Sequence, residues 1–130
     1  MIRVLLVDDD EDLLFIIGEY LNMNGIECHT ATSVSRARKR ILLCDYDMVI
    51  SDLQMPGESG LELFRFVSFR HPKLPFILMS GNQDPRIRRQ ALKMGVYRFL
   101  EKPFELNMLK HIITNPVPCE TQVGVGAPAA

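Results

Sequence analysis

The chain has 130 residues, 47% of them hydrophobic and 24% charged, which allows one domain with a real core and excludes a two-domain enzyme or a wholly disordered chain. Fifteen lysines and arginines against 16 acids give a formal charge of −1, so no global field attracts nucleic acid or anionic lipid. The short apolar run after Arg3 is unlike a signal peptide or a membrane span. The three cysteines form no CxxC pair. We therefore expect a cytoplasmic protein with reduced thiols, no membrane anchor and no direct contact with nucleic acid.

Short aliphatic and β-branched runs alternate along the chain with longer segments whose apolar residues recur every three or four positions. This alternation is typical of an α/β fold. Strands are predicted at residues 3–7, 26–30, 48–51, 76–79 and 97–100. Apolar stripes predict five helices over residues 13–21, 34–41, 61–67, 87–94 and 106–113. Gly25, His71-Pro72 and Gly95 each follow a helical stretch and mark a turn back toward the sheet.

The regular pattern stops near Asn115. The last residues combine proline, glycine and small side chains with neither apolar periodicity nor a charged helix face, which is typical of a tail or linker. We predict one folded domain over residues 1–114 and a flexible tail over residues 115–130.

Polar and charged residues follow four of the predicted strands. Asp8 and Asp9 end the first, Asp52 the third, Ser80 the fourth and Lys102 the fifth. Parallel strands present their carboxyl ends at one edge of a sheet, so we expect these side chains to converge. Three adjacent carboxylates raise one another's pKa unless a cation lies among them, and all-oxygen ligands without histidine or cysteine suit Mg²⁺. The pattern predicts a Mg²⁺ site for phosphate chemistry. Lys102 would neutralise an anion on Asp52, and the Ser80 hydroxyl would donate a hydrogen bond to an oxygen of the same group.

Each of these residues has a plainer explanation when it is taken alone. Acids at a helix start serve as caps and favour the helix dipole, and we expect only this of Asp10, Glu11 and Asp12. A lysine such as Lys102 is most often a solvated surface charge, and Ser80 is typical of a turn. The prediction therefore rests on the whole set of strand-end residues.

Four segments of the sequence resemble, in order and spacing, the receiver domains of bacterial two-component response regulators. They are VLLVDDDEDL, VISDLQMPGESGLEL, ILMSG and FLEKPF, and the resemblance covers residues 2 to about 114. A double aspartate is a weak signal, Asp-x-x-Met-Pro followed by Gly60 is a strong one, and the whole set is very specific. The resemblance implies a flavodoxin-like α/β fold in which a five-stranded parallel sheet of order 2-1-3-4-5 is flanked by five helices.

The same resemblance implies roles for the strand-end residues. Asp52 would accept a phosphoryl group from a histidine kinase or a phosphotransfer protein, and Lys102 would neutralise the charge that develops on the phosphoryl oxygens. Asp9, Asp52 and the backbone carbonyl of Gln54 would ligate Mg²⁺, while Asp8 acts mainly through water. Such a domain is a phosphoacceptor that catalyses only its own phosphorylation and dephosphorylation, and it is not otherwise an enzyme.

The resemblance also implies a conformational switch. Phosphorylation would draw Ser80 toward the phosphoryl group, and Phe99 would rotate into the vacated space. The plainer explanation of Phe99 is an ordinary aromatic residue of the core. The face made by the fourth helix, fifth strand and fifth helix would then contact an effector domain or a downstream protein. Its basic residues fit a solvated helix side or an acidic partner, and the oligomeric state stays open. Gln54 and Asn82 occupy positions that influence phosphoryl lifetime.

Three other functions compete with this interpretation. A flavodoxin-like electron carrier needs a hydroxyl- and glycine-rich loop after the first strand, where this chain has five consecutive acids. A Mg²⁺-dependent phosphatase with an aspartyl nucleophile resembles Asp-x-Asp, but residue 54 is glutamine. A phosphorylation-independent interaction module usually lacks an acid, the acceptor or the lysine, and all of these are present here.

Overall fold

Five strands and five helices alternate along the part of the chain that this computed structural model describes, residues 1–81 and 84–115. The elements in chain order are β1 (Arg3–Val7), α1 (Glu11–Met23), β2 (Glu27–Ala31), α2 (Val34–Leu43), β3 (Met48–Asp52), α3 (Gly60–Arg70), β4 (Phe76–Ser80), α4 (Pro85–Met94), β5 (Arg98–Glu101) and α5 (Leu106–Thr114). The strands form one parallel sheet in the order β2-β1-β3-β4-β5. The predicted fold class and strand order are confirmed.

The strands differ from their predicted limits by one residue at several ends. β3 and β4 each run one residue further, through Asp52 and Ser80, because ladder pairing continues to Asp52 opposite Met79 and to Ser80 opposite Glu101. Strand pairing uses backbone groups, so a polar side chain does not by itself end a strand. β2 and β5 both begin and end one residue later than predicted.

The sheet is buried on both faces, which explains why its central strands read as continuous apolar runs. Side chains alternate along each strand, so Leu5 and Val49 face one core while Leu6 and Ile50 face the other. Helices α2, α3 and α4 cover the first face, and helices α1 and α5 cover the second. Two apolar cores therefore hold the central strands, and the buried polar residues lie at the carboxyl ends of β1, β3 and β4.

Helix ends follow the local signals in the sequence. The Asp10 side chain accepts a hydrogen bond from the Leu13 backbone N–H at 3.1 Å and caps α1, as expected. Ser59 and Glu62 form a reciprocal capping box at the start of α3. Gly95 ends α4 with φ +108°, a left-handed conformation that favours glycine. These caps set where each helix begins and ends relative to the sheet edge.

The structure also bears on the predictions about thiols and membranes. Cys28 and Cys44 are free and half-buried, and burial raises the pKa of Cys28 to about 11. None of the helices in residues 1–81 and 84–115 has the length and apolar character needed to cross a membrane. Cys119, Asn82 and the predicted tail beyond Asn115 lie outside the described residues.

Candidate functional site

Three carboxylates gather at the carboxyl edge of the sheet, where β1 and β3 lie side by side. Asp8, Asp9 and Asp52 each place one oxygen within 4.8 Å of the other two. Asp8 and Asp52 are buried, whereas Asp9 is exposed. The Asp8 carboxylate accepts a hydrogen bond from the Asp10 backbone N–H at 2.9 Å, which holds it at the start of α1. This is the convergence that the strand-end pattern predicts.

Lys102 extends from the end of β5 into the same cluster. Its Nζ lies 2.8 Å from Asp8 Oδ2 and 3.2 Å from Asp52 Oδ1, so one ammonium bridges the two buried carboxylates. The Lys102 backbone N–H donates to the Ser80 carbonyl oxygen at 2.8 Å and ties the residue to the end of β4. The Lys102–Pro103 peptide bond is cis. The contact of Lys102 with Asp8 is shorter than its contact with Asp52, the predicted phosphoryl acceptor.

The electrostatics of the cluster are unbalanced. Burial and the neighbouring charge of Asp8 raise the pKa of Asp52, and the charge of Lys102 only partly opposes them. Burial lowers the pKa of Lys102, but the hydrogen bond to Asp8 and the charges of Asp52 and Asp8 outweigh it and leave that pKa raised. With all four groups ionised, three negative charges and one positive charge leave −2. The oxygen donors and the charge both fit a divalent cation such as Mg²⁺.

The other predicted residues lie beside this cluster. Ser80 is buried at the end of β4, and Phe99, 8% exposed, lies on β5 in register with Leu78. Gln54 follows Asp52 by two residues in the loop before α3, and its side chain is exposed. Ser80 and Gln54 therefore lie at the carboxyl edge of the sheet with the cluster, whereas Phe99 lies within the sheet on the neighbouring strand.

Two further residues, Ser51 and Gly60, hold the Asp52 backbone, and neither is predicted to do so from the sequence. The Ser51 hydroxyl, fully buried, donates to the Asp52 carbonyl oxygen at 2.9 Å. Gly60 packs so tightly that a Cβ on it would lie 2.2 Å from the same oxygen and 2.9 Å from Leu78 Cδ2. From the sequence, Gly60 is identified only as part of the Asp-x-x-Met-Pro motif region. A serine at the end of an otherwise apolar strand is the signal in the sequence that would have identified Ser51.

We predict that Gly60→Ala destabilises the protein and displaces Asp52. The added methyl group meets backbone atoms, which cannot rotate away, so the free energy of unfolding should fall by about 1–3 kcal/mol, the usual cost of overpacking. Urea denaturation measures this loss. Gly18→Ala is the matched control, because its added Cβ would make only ordinary contacts of 3.8 Å with Thr30 and 3.9 Å with Cys28. Equal stability of Gly60→Ala and wild type would contradict this packing.

We also predict that Asp52→Asn stabilises the metal-free protein at neutral pH. A carboxyl group with a raised folded-state pKa binds its proton more tightly in the folded state, so its ionised form costs stability above that pKa. The advantage of the variant should shrink as pH falls through the raised pKa of Asp52 toward the usual aspartate value of about 4. Urea titrations in EDTA between about pH 4 and pH 8 test this.

The control for this experiment is Asp45→Asn, an exposed carboxylate at the opposite edge of the sheet. It should leave stability nearly unchanged across the same pH range, as surface substitutions usually do. A neutral-pH loss of stability in Asp52→Asn would show that the Lys102 contact outweighs the cost of burying the charge.

Comparison with known proteins agrees with this geometry. The response regulator receiver domain model matches residues 4–114. Response regulator protein PilR of Pseudomonas aeruginosa is 31% identical over 113 residues, 85% of this chain and 25% of PilR. The C4-dicarboxylate transport transcriptional regulatory protein DctD of Rhizobium meliloti is 37% identical over 106 residues, 82% of this chain and 23% of DctD. The chain thus spans about a quarter of the length of these curated relatives.

Solved structures show the same architecture. Response regulator protein TrrA from Thermotoga maritima, in complex with Mg²⁺-BeF, superposes with a TM-score of 0.80 at 28% identity and covers 90% of this chain and 100% of its own. The family model spans nearly the whole described fold, including every residue of the carboxylate cluster and Lys102. The chain therefore belongs to the response regulator receiver domain family of two-component signalling.

Proposed function

We propose that this receiver domain takes a phosphoryl group from a histidine kinase or a phosphotransfer protein onto Asp52. The observation that carries the proposal is the position of Lys102, whose ammonium contacts both Asp8 and Asp52 at the edge where Asp9 also lies. The ammonium group of a lysine that only decorates the surface usually lies in water. The Lys102 ammonium lies instead between two buried carboxylates, where it can stabilise negative charge. Family membership supports the same function.

Mg²⁺ belongs to this proposal. The Asp9 and Asp52 carboxylates and the Gln54 backbone carbonyl would hold the ion, and Asp8 would contribute through water. When bound, the ion supplies positive charge to the transferring phosphoryl oxygens. The formal charge of −2 and the all-oxygen donor set support the assignment, and TrrA was solved with Mg²⁺-BeF.

The chemistry of the chain itself is a single displacement. An Asp52 carboxylate oxygen attacks phosphorus, an O–P bond forms, and the N–P bond to the donor imidazole breaks, so the imidazole leaves with the electron pair. Lys102 lies within reach of the attacking carboxylate and neutralises charge on the phosphoryl oxygens. Ser51 and Gly60 hold the Asp52 backbone in place while this happens. Hydrolysis of the acyl phosphate by water then resets the domain, and the chain has no other catalytic role.

The proposed switch couples phosphorylation of Asp52 on β3 to β5, the strand on the other side of β4 in the sheet. Ser80 and Leu78 project from the same face of β4, and Phe99 lies in register with Leu78 on β5, so Ser80 and Phe99 are diagonal neighbours. Movement of the Ser80 hydroxyl toward a phosphoryl group opens space beside the Phe99 ring. Helix α4, which covers this region, buries only Ala91 among its ten residues and is therefore weakly anchored.

The output partner is an effector domain or a separate protein that contacts the surface formed by α4, β5 and α5. PilR and DctD are much longer than this chain, which supports an effector outside the receiver. DctD is described as a transcriptional regulatory protein, and we extend that output to this chain only as part of the proposal.

Incubation with Mg²⁺ and acetyl phosphate should add one phosphoryl group to the wild-type protein and none to Asp52→Asn. Lys102→Met should slow phosphorylation by about 10²–10³-fold, the usual effect of losing one group that stabilises transition-state charge. Intact-mass spectrometry over time measures both. Asp45→Asn at the opposite sheet edge is the control and should react like wild type.

The competing functions give different outcomes in the same assay. An unchanged wild-type mass under saturating donor and Mg²⁺ would favour a phosphorylation-independent interaction module. Sustained turnover of phosphate esters would favour a phosphatase, and a flavin absorbance band would favour an electron carrier.

We expect beryllium fluoride with Mg²⁺ to shift the NMR signals of α4 and β5 in the wild-type protein. Ser80→Ala and Phe99→Ala should each reduce the α4 and β5 shifts but keep the shifts around Asp52. The reason is that each variant interrupts the proposed coupling from Ser80 to Phe99 without removing Asp52. Phe66→Ala is the control, since this half-buried aromatic lies on α3. Full α4 and β5 shifts in both switch variants would contradict this coupling.

A further inference from the structure

A second concave site lies at the amino-terminal ends of β3 and β4, opposite the carboxylate cluster. This basal cleft has a volume of about 470 Å³ and is formed by the end of α2, the end of α3 and the residues before the two strands. The five residues of β3 separate it from the carboxylate edge by roughly 16 Å at about 3.3 Å per residue. The mechanism proposed for Asp52 uses none of the cleft residues.

The floor of the basal cleft is apolar and preformed. Ile41 is buried, and Leu74 and Tyr46 are half-buried. The Tyr46 hydroxyl lies 2.8 Å from His29 Nδ1, and the two rings pack edge to face at 5.4 Å, so Tyr46 is fixed from behind. The volume falls within the range of about 300–1,000 Å³ that is typical of ligand pockets. The floor is therefore suited to a large apolar group.

The rim of the cleft is basic. Arg70 and Lys73 line it, and Asp45 is its one acidic lining residue. Within residues 1–81 and 84–115, neither Arg70 nor Lys73 forms an ion pair. The Arg70 guanidinium lies 5.0 Å from the centre of the Phe66 ring, which positions it without neutralising its charge. The rim therefore presents positive charge around an apolar floor.

The wider surface has the same sign. Helices α2, α3 and α4 carry four, two and four lysines and arginines, and Glu62 is their single acid, although the whole chain has a charge of −1. Helix α1, on the other face of the sheet, carries three acids and no basic residue. This separation attracts an acidic partner to the α2–α4 layer and repels it from the α1 side.

Two residues that are next in sequence to cleft residues have large, exposed apolar side chains. Leu43 is 82% exposed and Phe69 is 89% exposed, and each adjoins a cleft residue in sequence, Cys44 and Arg70. Nucleic acid offers phosphates to the rim and flat base faces that could stack on Phe69, but it supplies no protruding apolar side chain to enter the floor of the cleft. A flat bilayer cannot fill a concave cleft. A polypeptide supplies both a protruding apolar side chain and flanking carboxylates, which is the usual composition of an interface centre and its rim.

We propose that the basal cleft binds an acidic segment of a protein partner, with one large apolar side chain of that segment in the cleft and its carboxylates against Arg70 and Lys73. The interaction is separate from phosphorylation, because the cleft and the carboxylate cluster lie at opposite ends of the sheet. The receiver therefore has a docking surface in addition to the surface formed by α4, β5 and α5.

The test uses the full chain and a fluorescein-labelled peptide, Glu-Glu-Asp-Leu-Phe-Asp-Glu-Glu, followed by fluorescence anisotropy at low and high salt. Two comparison peptides replace either the acids by their amides or the Leu-Phe pair by alanines. The acidic apolar peptide should bind about tenfold or more tightly than either comparison peptide. NMR shifts should centre on Tyr46 and Leu74.

Lys73→Glu should weaken peptide binding about tenfold or more. Lys93→Glu is the matched control, because it reverses an exposed charge of the same basic layer on α4, away from the cleft. It should retain binding within about twofold. Both variants should accept phosphate from acetyl phosphate at the wild-type rate, which separates failure of this inference from failure of the proposed function.

Three results would overturn the proposal. Equal weakening by Lys73→Glu and Lys93→Glu would mean that a diffuse field, and not the cleft, attracts the peptide. Absence of binding, or equal binding of all three peptides, would show that the cleft does not recognise this chemistry. Binding to vesicles with about 30% phosphatidylserine that is lost in Leu43→Ser and Phe69→Ser, without peptide binding, would assign the surface to a membrane.

Discussion

The bridge from Lys102 to Asp8 and Asp52 is the interaction on which the site depends. Burying two carboxylates side by side is costly, and one ammonium does not balance three acids, so the cluster is poised to gain positive charge. Burial first, and the charge of Asp8 second, raise the pKa of Asp52. Excess negative charge would attract a divalent ion, and a bound ion would make the approach of an anionic phosphoryl group favourable. The excess of carboxylates over ammonium groups therefore accounts both for the net negative charge of the cluster and for its proposed use of a cation in phosphoryl transfer.

The rest of the fold holds the Asp52 backbone in place. The Ser51 hydroxyl donates to the Asp52 carbonyl oxygen and Gly60 packs closely against it, so the proposed acceptor lies on a firmly held strand. Helix α4, by contrast, fully buries Ala91 alone and packs Ile87 and Met94 only partly against the core. If Asp52 is phosphorylated as proposed, such a helix could move and alter the surface without disturbing the apolar cores.

The two charged surfaces of the domain lie in different parts of the fold. The carboxyl edge of the sheet is acidic and suited to cations and phosphoryl groups, whereas the helical layer of α2, α3 and α4 is basic and ends in the basal cleft. The near-zero net charge conceals this arrangement, because the opposite charges cancel in the total. A single small domain thus presents two surfaces of opposite charge, which the proposals above assign to phosphoryl transfer and to an acidic partner.

The sequence by itself determined the α/β class, the approximate strands and the gathering of Asp8, Asp9, Asp52 and Lys102, because apolar periodicity locates strands and parallel strands end at one edge. Family resemblance supplied the strand order, which the structure confirms. Tertiary structure alone decided that Lys102 lies closer to Asp8 than to Asp52, that Gly60 meets the Asp52 carbonyl, and that Tyr46 and Leu74 share a cleft. These contacts depend on how loops, strands and helices pack in three dimensions, and local sequence patterns do not specify such distances, even between Asp52 and Gly60, eight residues apart.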